Sequence, residues 1–128
     1  MFINYSNHPS GSWADNQKSA AQAEYGSITD VPFPVVPVTF TSEAVGQLAE
    51  TEVRKLLKML QESEDSQNAV MCQGEFSLSY AVIAGLQKAG VRVVSAVSER
   101  KTVVKIQDGA SVKTSVFRFA GYREYCRV

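Results

Sequence analysis

The stretch 69-AVMCQGEFSLSYAVIAGLQKAGVRVVSAV-97 decides the fold of this chain. It begins with a short apolar run, Ala69 to Cys72, which predicts a buried strand. A polar turn leads into an apolar helix that is predicted from Ser77 to about Ala89, and a second apolar strand follows from Val91 to Val97. Strand, helix and strand in this order predict a right-handed crossover between two parallel strands of one sheet.

The same alternation fills the rest of the chain. Upstream we predict two further strands and two further helices: Met1–Ser6, Ser12–Tyr25, Ile28–Val31 and Ser42–Glu62. Downstream, two alternating runs flank Asp108-Gly109 and predict a β-hairpin, Thr102–Gln107 with Val112–Phe119. The order predicts an α/β fold in a single domain over residues 1–128: a Rossmann-like, mostly parallel sheet with helices on both faces, ending in an antiparallel β-hairpin.

Two local signals refine this outline. Ser12 followed by Asp15 has the spacing of a capping box, which predicts Ser12 as the N-cap of the first helix. Three prolines in 31-VPFPVVPV-38 exclude a central strand there, because proline donates no ladder hydrogen bond. We therefore expect an extended loop after the second predicted strand.

Charge and composition exclude several classes of protein. The 128 residues hold 13 basic and 13 acidic side chains, so no net positive charge attracts long nucleic acid. No apolar run approaches the roughly 20 residues of a membrane span, and the N-terminal run lacks the pattern of a secretory signal. Two cysteines are too few for a disulfide framework, and Cys72 is expected to be a buried thiol. These features predict a soluble, cytoplasmic protein that binds no membrane.

Polar segments follow four of the predicted strands. They are Asn7–Ser10, Asp30–Phe33, Gln73–Ser77 and Ser98–Arg100. Open α/β sheets bind ligands beyond the carboxyl ends of their strands, so these segments should share one edge. Two of them lead into helix N-termini, whose free N–H groups suit a phosphate or another anion.

His8 is the only histidine of the chain and lies in the first of these segments. An imidazole can donate, accept or transfer a proton near neutral pH, which makes His8 a candidate catalytic residue. It could equally serve only to cap the first helix. Asn7 and Ser10 could line a phosphate turn, or they could be ordinary helix-start residues.

The third and fourth segments supply the remaining candidates. Gly74 could let the backbone approach a ligand closely, or it could allow a tight turn. Ser77 could contact a ligand or cap the next helix, and Glu75 could be a base, a metal ligand or a solvated charge favoured by the helix dipole. Arg100 could clamp a phosphate or be a solvated charge, and Ser98 lies beside it.

Motifs for several common chemistries are absent. The sequence has no G-x-G-x-x-G, P-loop, G-x-S-x-G, C-x-x-C or H-E-x-x-H pattern. Asp30, Glu75 and Glu99 could share a divalent ion, but with one histidine and no tight cluster we expect no metal and no cofactor.

Four stretches together resemble a known family: 5-YSNHPSGSW-13, 26-GSITDVPFP-34, 73-QGEFSLSY-80 and 98-SER-100. They are similar to small stand-alone proteins with the CRISPR-associated Rossmann fold, which sense cyclic oligoadenylates in type III CRISPR systems. The likeness covers nearly the whole chain. It implies a homodimer that presents two copies of the edge to a symmetric ring.

The resemblance also implies a reaction. Ring nucleases of this fold generally use no metal, and hold the ribose so that its 2′-hydroxyl attacks the adjacent phosphate, leaving a 2′,3′-cyclic phosphate. His8 would then be the general acid or base, with Arg100 and the backbone near Ser10 and Gly74 on the phosphates. Ribose or base would be oriented by three further side chains, those of Asn7, Ser77 and Gln73.

Two other functions remain open from the sequence. The same edge could bind the cyclic nucleotide, most simply cyclic tetra-adenylate, without cutting it. Outside this family, the chain could be a small transferase or hydrolase that acts on a nucleotide or sugar phosphate.

Overall fold

Five strands and three α-helices alternate along the computed structural model, which describes all residues 1–128. In chain order they are β1 (Phe2–Ser6), α1 (Asp15–Tyr25), β2 (Ile28–Val31), α2 (Ser42–Gln61), β3 (Ala69–Gln73), α3 (Phe76–Lys88), β4 (Val93–Gln107) and β5 (Ala110–Glu124). A single 3-10 turn, Ser10–Ser12, precedes α1. No helix is both long and apolar enough to span a bilayer.

The five strands form one sheet in the order β2-β1-β3-β4-β5. Strands β1 to β4 are parallel, and β5 runs antiparallel to β4. The predicted fold class is therefore confirmed. The chain turns back across the sheet between β1 and β3, so the carboxyl ends of these two strands flank the point where open α/β sheets bind ligands.

Alternate residues of β1 point to opposite faces of the sheet and pack against different helices. Phe2 packs against Trp13 and Tyr25 on the face that α1 covers. Ile3 and Tyr5 join the larger core cluster beneath α2 and α3. Helices thus cover both faces, which explains why β1 and β3 are almost continuously buried. Cys72 lies in the larger core, and burial raises the pKa of its thiol to about 12.

The N-cap predicted for the first helix is wrong. Ser12 belongs to the preceding 3-10 turn and donates its hydroxyl to the Pro9 carbonyl at 2.8 Å. Trp13 is buried, with only 5 % of its surface exposed, and its backbone is extended. Helix α1 therefore begins two residues later at Asp15, after Ala14, which makes no side-chain capping bond.

The predicted end of the fourth strand is also wrong. The segment that follows Val97 is not a loop, because β4 continues without interruption to Gln107 and pairs with β5 along this length. A bulge between Val97 and Ser98 is the only irregularity in that pairing. The predicted turn at Asp108-Gly109 is confirmed, with φ angles of 50° and 77°.

Most of this hairpin has no other support from the sheet. Strand β3 pairs with β4 only at Val93 and Val94, so the ladder beyond Val94 joins β4 to β5 alone. We call residues 98–119 the hairpin arm. Because β4 runs parallel to β3, the arm leaves the sheet at the edge where β1 and β3 end. With ten residues in its β4 half, it extends for roughly 30 Å.

Candidate functional site

The carboxyl edge of the sheet carries three segments that follow β1, β2 and β3. The first, residues 7–14, is called the β1 loop and contains His8. It lies between the proline-rich loop after β2 and the short turn of Gly74 and Glu75 after β3, since β1 is the strand between β2 and β3.

A buried polar network lies beneath the β1 loop. Asn4, in the middle of β1, is 1 % exposed and donates to the His8 carbonyl at 2.9 Å and to Asp30 Oδ1 at 3.0 Å. Its own carbonyl oxygen accepts from Ser6 Oγ at 2.6 Å. Buried polar groups are costly unless bonded, and here each group of Asn4 has a partner. Asn4 therefore ties the β1 loop to β2.

The backbone of His8 is held from three directions. Its carbonyl accepts from Asn4 and from the Trp13 indole, the latter at 3.1 Å, and its N–H donates to Ser6 Oγ at 3.2 Å. Its imidazole is exposed and makes no hydrogen bond with the rest of the chain. The fold thus fixes the main chain of this residue and leaves the titratable ring free at the edge.

Ser10 is already bonded within the chain. Its N–H and hydroxyl donate to Asp30 Oδ2 at 3.2 and 3.1 Å. An incoming phosphate at Ser10 would therefore meet the Asp30 carboxylate and would have to replace these bonds. The structure gives Ser10 the role of joining the β1 loop to the end of β2.

Asn7 and Gly74 both serve to place Phe33. Asn7 Oδ1 accepts from the Phe33 N–H at 3.1 Å, which leaves its amide nitrogen without a protein partner. A Cβ on Gly74 would lie 2.5 Å from atoms of the Phe33 ring, so only glycine fits beside this buried side chain. Gly74 was predicted either to let a ligand approach the backbone or to allow a tight turn, and its contact with Phe33 favours the tight turn.

The N-terminus of α3 holds an anion that belongs to the chain itself. The Glu75 carboxylate accepts from Ser77 N–H at 2.8 Å, from Leu78 N–H at 2.9 Å and from Ser77 Oγ at 2.7 Å. Hydrogen bonds from the Ser77 hydroxyl and then from these amides lower the pKa of Glu75. Glu75, and not Ser77, is therefore the N-cap, and its carboxylate occupies the place expected for a phosphate.

The remaining predicted site residues lie along β3 and β4. Gln73 Oε1 accepts from the Ala96 N–H at 3.2 Å and so bridges the gap that opens where β4 leaves β3. Ser98 and Arg100 lie inside β4, in the hairpin arm, and Arg100 donates to Ser115 Oγ at 3.0 Å. The fourth loop that was predicted to bring them to the edge does not exist.

A broad cavity of about 1190 Å³ opens beside the turn after β3. Gln73 and Gly74 line one end, α3 lines one wall and the C-terminal residues 125–128 line the other. Phe76 and Tyr80 line it from one side of α3 and are 91 % and 78 % exposed. Both rings are therefore available to stack on a planar ligand.

Sequence reasoning missed Asn4, Ser6 and the pair of aromatic residues on α3. Polar residues at alternate positions of an otherwise apolar strand were the available signal for Asn4 and Ser6. The spacing of four between Phe76 and Tyr80 was the signal for the pair. No group of three or more histidine, cysteine or carboxylate side chains is arranged to hold a metal ion.

Comparison with known proteins gives one match. Residues 1–123 fit the family model described as "Uncharacterized protein MJ1673 family". The chain belongs to this family. No curated protein and no solved structure matches it.

The MJ1673-family match covers every strand and helix of the fold up to Arg123, including the β1 loop and the hairpin arm. At its carboxyl edge the sheet offers the free imidazole of His8 and the free amide nitrogen of Asn7. The exposed rings of Phe76 and Tyr80 line the cavity beside Gln73 and Gly74, which neither His8 nor Asn7 lines. Such a set can transfer a proton and hold a planar ring.

Proposed function

We propose that this MJ1673-family protein binds a cyclic oligoadenylate, most simply cyclic tetra-adenylate, across a homodimer and cleaves it without a metal ion. Cleavage would remove the second messenger and so switch off type III CRISPR signalling. The observation that carries the proposal is the state of His8. Its main chain is anchored by three residues, while its imidazole is free at the edge where such sheets bind ligands.

The anchoring of His8 suits catalysis better than a structural role does. A capping or packing histidine would use its ring, whereas here only the backbone atoms of His8 make hydrogen bonds. Asn4 and Trp13 are buried, so the loop that presents the ring is stiff. A fixed loop with a free titratable ring is the arrangement that general acid–base catalysis requires.

The proposed step uses groups of the chain and of the ligand, and solvent water exchanges the proton that His8 does not carry. The 2′-oxygen of one ribose attacks the adjacent phosphorus, and its proton passes to a base. The bond from phosphorus to the 5′-oxygen breaks, the 5′-oxygen takes up a proton, and a 2′,3′-cyclic phosphate remains. His8 would carry one of these two protons, and the Asn7 amide nitrogen could donate to a phosphate or ribose oxygen.

Arg100 has no part in this version of the site. It lies in the hairpin arm and is bonded to Ser115, so the phosphate clamp that the resemblance implied is left out. The exposed rings of Phe76 and Tyr80 are better placed to hold the adenine bases, because they line the cavity next to Gln73 and Gly74.

One observation favours binding without cleavage as the second candidate. No carboxylate is bonded to the His8 ring, whereas a catalytic histidine commonly has a partner that fixes its tautomer. In that case the protein would sequester the cyclic nucleotide, and His8 would only donate a hydrogen bond to it.

A cleavage assay separates these possibilities. Purified protein is incubated with radiolabelled cyclic tetra-adenylate in EDTA, products are resolved by chromatography, and binding is followed on a native gel. His8→Ala is expected to lose cleavage by about 100-fold or more while binding is retained. Ser12→Ala is the matched control, since the Ser12 hydroxyl bonds only the Pro9 carbonyl in the same loop.

Each outcome decides the proposal. Cleavage by wild type and by Ser12→Ala, but not by His8→Ala, supports the ring nuclease. Tight binding of one ring per two chains without conversion supports sequestration. Absence of binding to cyclic tri-, tetra- and hexa-adenylate would show that the chain acts on a different ligand.

A further inference from the structure

The hairpin arm is a β-ribbon without support. Beyond Val94, strand β4 has no neighbour except β5, and β5 is the last strand of the sheet. No side chain of the arm is buried, and all of them except Val103 and Phe119 are more than a third exposed. A two-stranded ribbon that stands alone in water is marginally stable at best. A contact outside this chain is therefore needed to hold the arm.

Both faces of the arm expose apolar side chains. Val104, Ile106 and Phe117 point to one face and are 58 %, 79 % and 68 % exposed. Val112 and Val116 point to the other face and are about two-fifths exposed, at 39 % and 40 %. An arm in contact with water alone would carry polar residues on both faces. These side chains favour a protein surface as the partner.

Charge is divided between the arm and the rest of the chain. The arm holds five lysines and arginines against two acidic residues, whereas residues 1–91 hold five against ten acidic residues. Two arms would repel each other, so a contact between arms is disfavoured. An arm and the acidic part of another copy would attract.

We propose that the arm packs on a second copy of this chain. The arm of one copy lies across the surface of residues 1–91 of the other, and the two-fold symmetry of the pair makes the exchange reciprocal. The apolar side chains of the arm are then covered, and its excess positive charge meets the excess negative charge of the partner. This inference goes beyond the proposed function, because it names the surface that forms the dimer. It does not depend on the identity of the ligand.

The mass of the full chain in solution tests the exchange. Light scattering is expected to give twice the 14.0 kDa of one chain for wild type. A shortened arm, without Thr102–Gln107 and Ala110–Ser115, keeps the Asp108-Gly109 turn between Lys101 and Val116, a pair of the same hydrogen-bonding type as Gln107 and Ala110. It is expected to have the mass of one chain while its circular dichroism stays that of a folded α/β protein.

A charge variant tests the same contact with the arm at full length. Lys105→Glu combined with Lys113→Glu is expected to raise the dimer dissociation constant at least about 10-fold. Arg54→Glu combined with Lys58→Glu is the matched control, since it makes the same change of charge on exposed residues of α2. This control is expected to leave the dimer as tight as before or tighter.

Cross-linking locates the contact. A carbodiimide joins lysine to carboxylate without a spacer, and a mixture of light and ¹⁵N-labelled chains distinguishes links between copies from links within one copy. Light–heavy links from Lys101, Lys105 or Lys113 to carboxylates of residues 1–91 support the exchange.

Three results would overturn the inference. They are a monomeric wild type, a dimer that survives shortening of the arm, or arm links found only within one copy. A monomer whose arm binds an RNA or DNA oligonucleotide would likewise show that the partner is nucleic acid. A dimer that survives arm shortening leaves the cleavage experiment with His8→Ala fully interpretable, so the two proposals can fail separately.

Discussion

Replacement of Asn4 by alanine tests whether the buried network under the β1 loop holds His8 in place. Asn4 is almost fully buried and makes three hydrogen bonds, to the His8 carbonyl, to Asp30 and from Ser6. The variant removes all three from a buried position. We expect a large loss of stability from a residue that makes no contact with solvent or ligand.

The expected loss of stability depends on which hydrogen bonds the partners of Asn4 retain in the variant. The His8 carbonyl keeps the Trp13 indole, and Asp30 keeps both donors of Ser10. The Ser6 hydroxyl loses its short bond and keeps only a contact of 3.5 Å to the His8 carbonyl. A neutral hydrogen bond contributes about 1 kcal/mol and one to a carboxylate about 1.5 to 3 kcal/mol, with the lower value suited to the exposed Asp30. Asn4→Ala should therefore lower the free energy of unfolding by about 2 to 4 kcal/mol.

Trp13 reports both the global and the local effect. It is the only tryptophan of the chain, and its indole shares the His8 carbonyl with Asn4. Urea unfolding followed by fluorescence and circular dichroism should show a midpoint lower by about 1 to 2 M. The native emission of Trp13 should shift to the red, because the loop that covers its ring is loosened.

A matched variant and a clear negative result complete this test. Ser12→Ala removes only a bond within the exposed 3-10 turn and should change stability by less than about 0.5 kcal/mol. If Asn4→Ala also stays within about 0.5 kcal/mol of wild type, with unchanged emission of Trp13, the network does not hold the loop. The argument that His8 is presented on a rigid segment would then be lost.

Two further predictions concern the turn after β3. Gly74→Ala should lower the free energy of unfolding in urea by about 1 to 3 kcal/mol, because its Cβ would lie 2.5 Å from the Phe33 ring. The same change in a Phe33→Leu background should lower it clearly less. Equal losses in the two backgrounds would refute the clash. Glu75→Gln should lower the melting temperature at neutral pH. Because bonds from Ser77 and Leu78 lower the pKa of Glu75, its contribution is present above the ordinary pKa of glutamate and disappears as the pH falls through the lowered value. The difference between wild type and variant should therefore vanish in acid, and a difference that stayed constant with pH would contradict this reasoning.

Much of the fold could be predicted from the sequence because the relevant patterns are strong. Helix α2 differs from its predicted bounds by one residue, since its apolar positions and the Thr41 cap agree. The βαβ unit from β3 to β4 was equally clear, because strands that are buried on both faces are apolar throughout.

The prediction failed where solvent surrounds a regular strand. Arg100 and Lys101 look like loop residues because strands usually show one buried face, and the arm has none. Its regularity comes from pairing with β5 across the Asp108-Gly109 turn, and the alternating runs beside that turn do not show how far the pairing extends. Local patterns therefore could not distinguish a polar loop from an extended ribbon, and the error moved Ser98 and Arg100 to the wrong place.

The sequence could describe the candidate site only in part, for a related reason. A sequence shows which polar residues follow the strands, but not which of them are already bonded to each other. Ser10 is bonded to Asp30, Glu75 to α3 and Gln73 to Ala96, so three predicted ligand contacts are already engaged within the protein. The same bonds that engage these residues fix the loops around His8. Of the predicted residues whose whole side chain remains free, Ser98 lies in the hairpin arm and only His8 lies on a loop at the carboxyl edge. A ligand reaction can therefore most directly be assigned to His8, and this elimination, more than its position in the sequence, is the reason for testing it first.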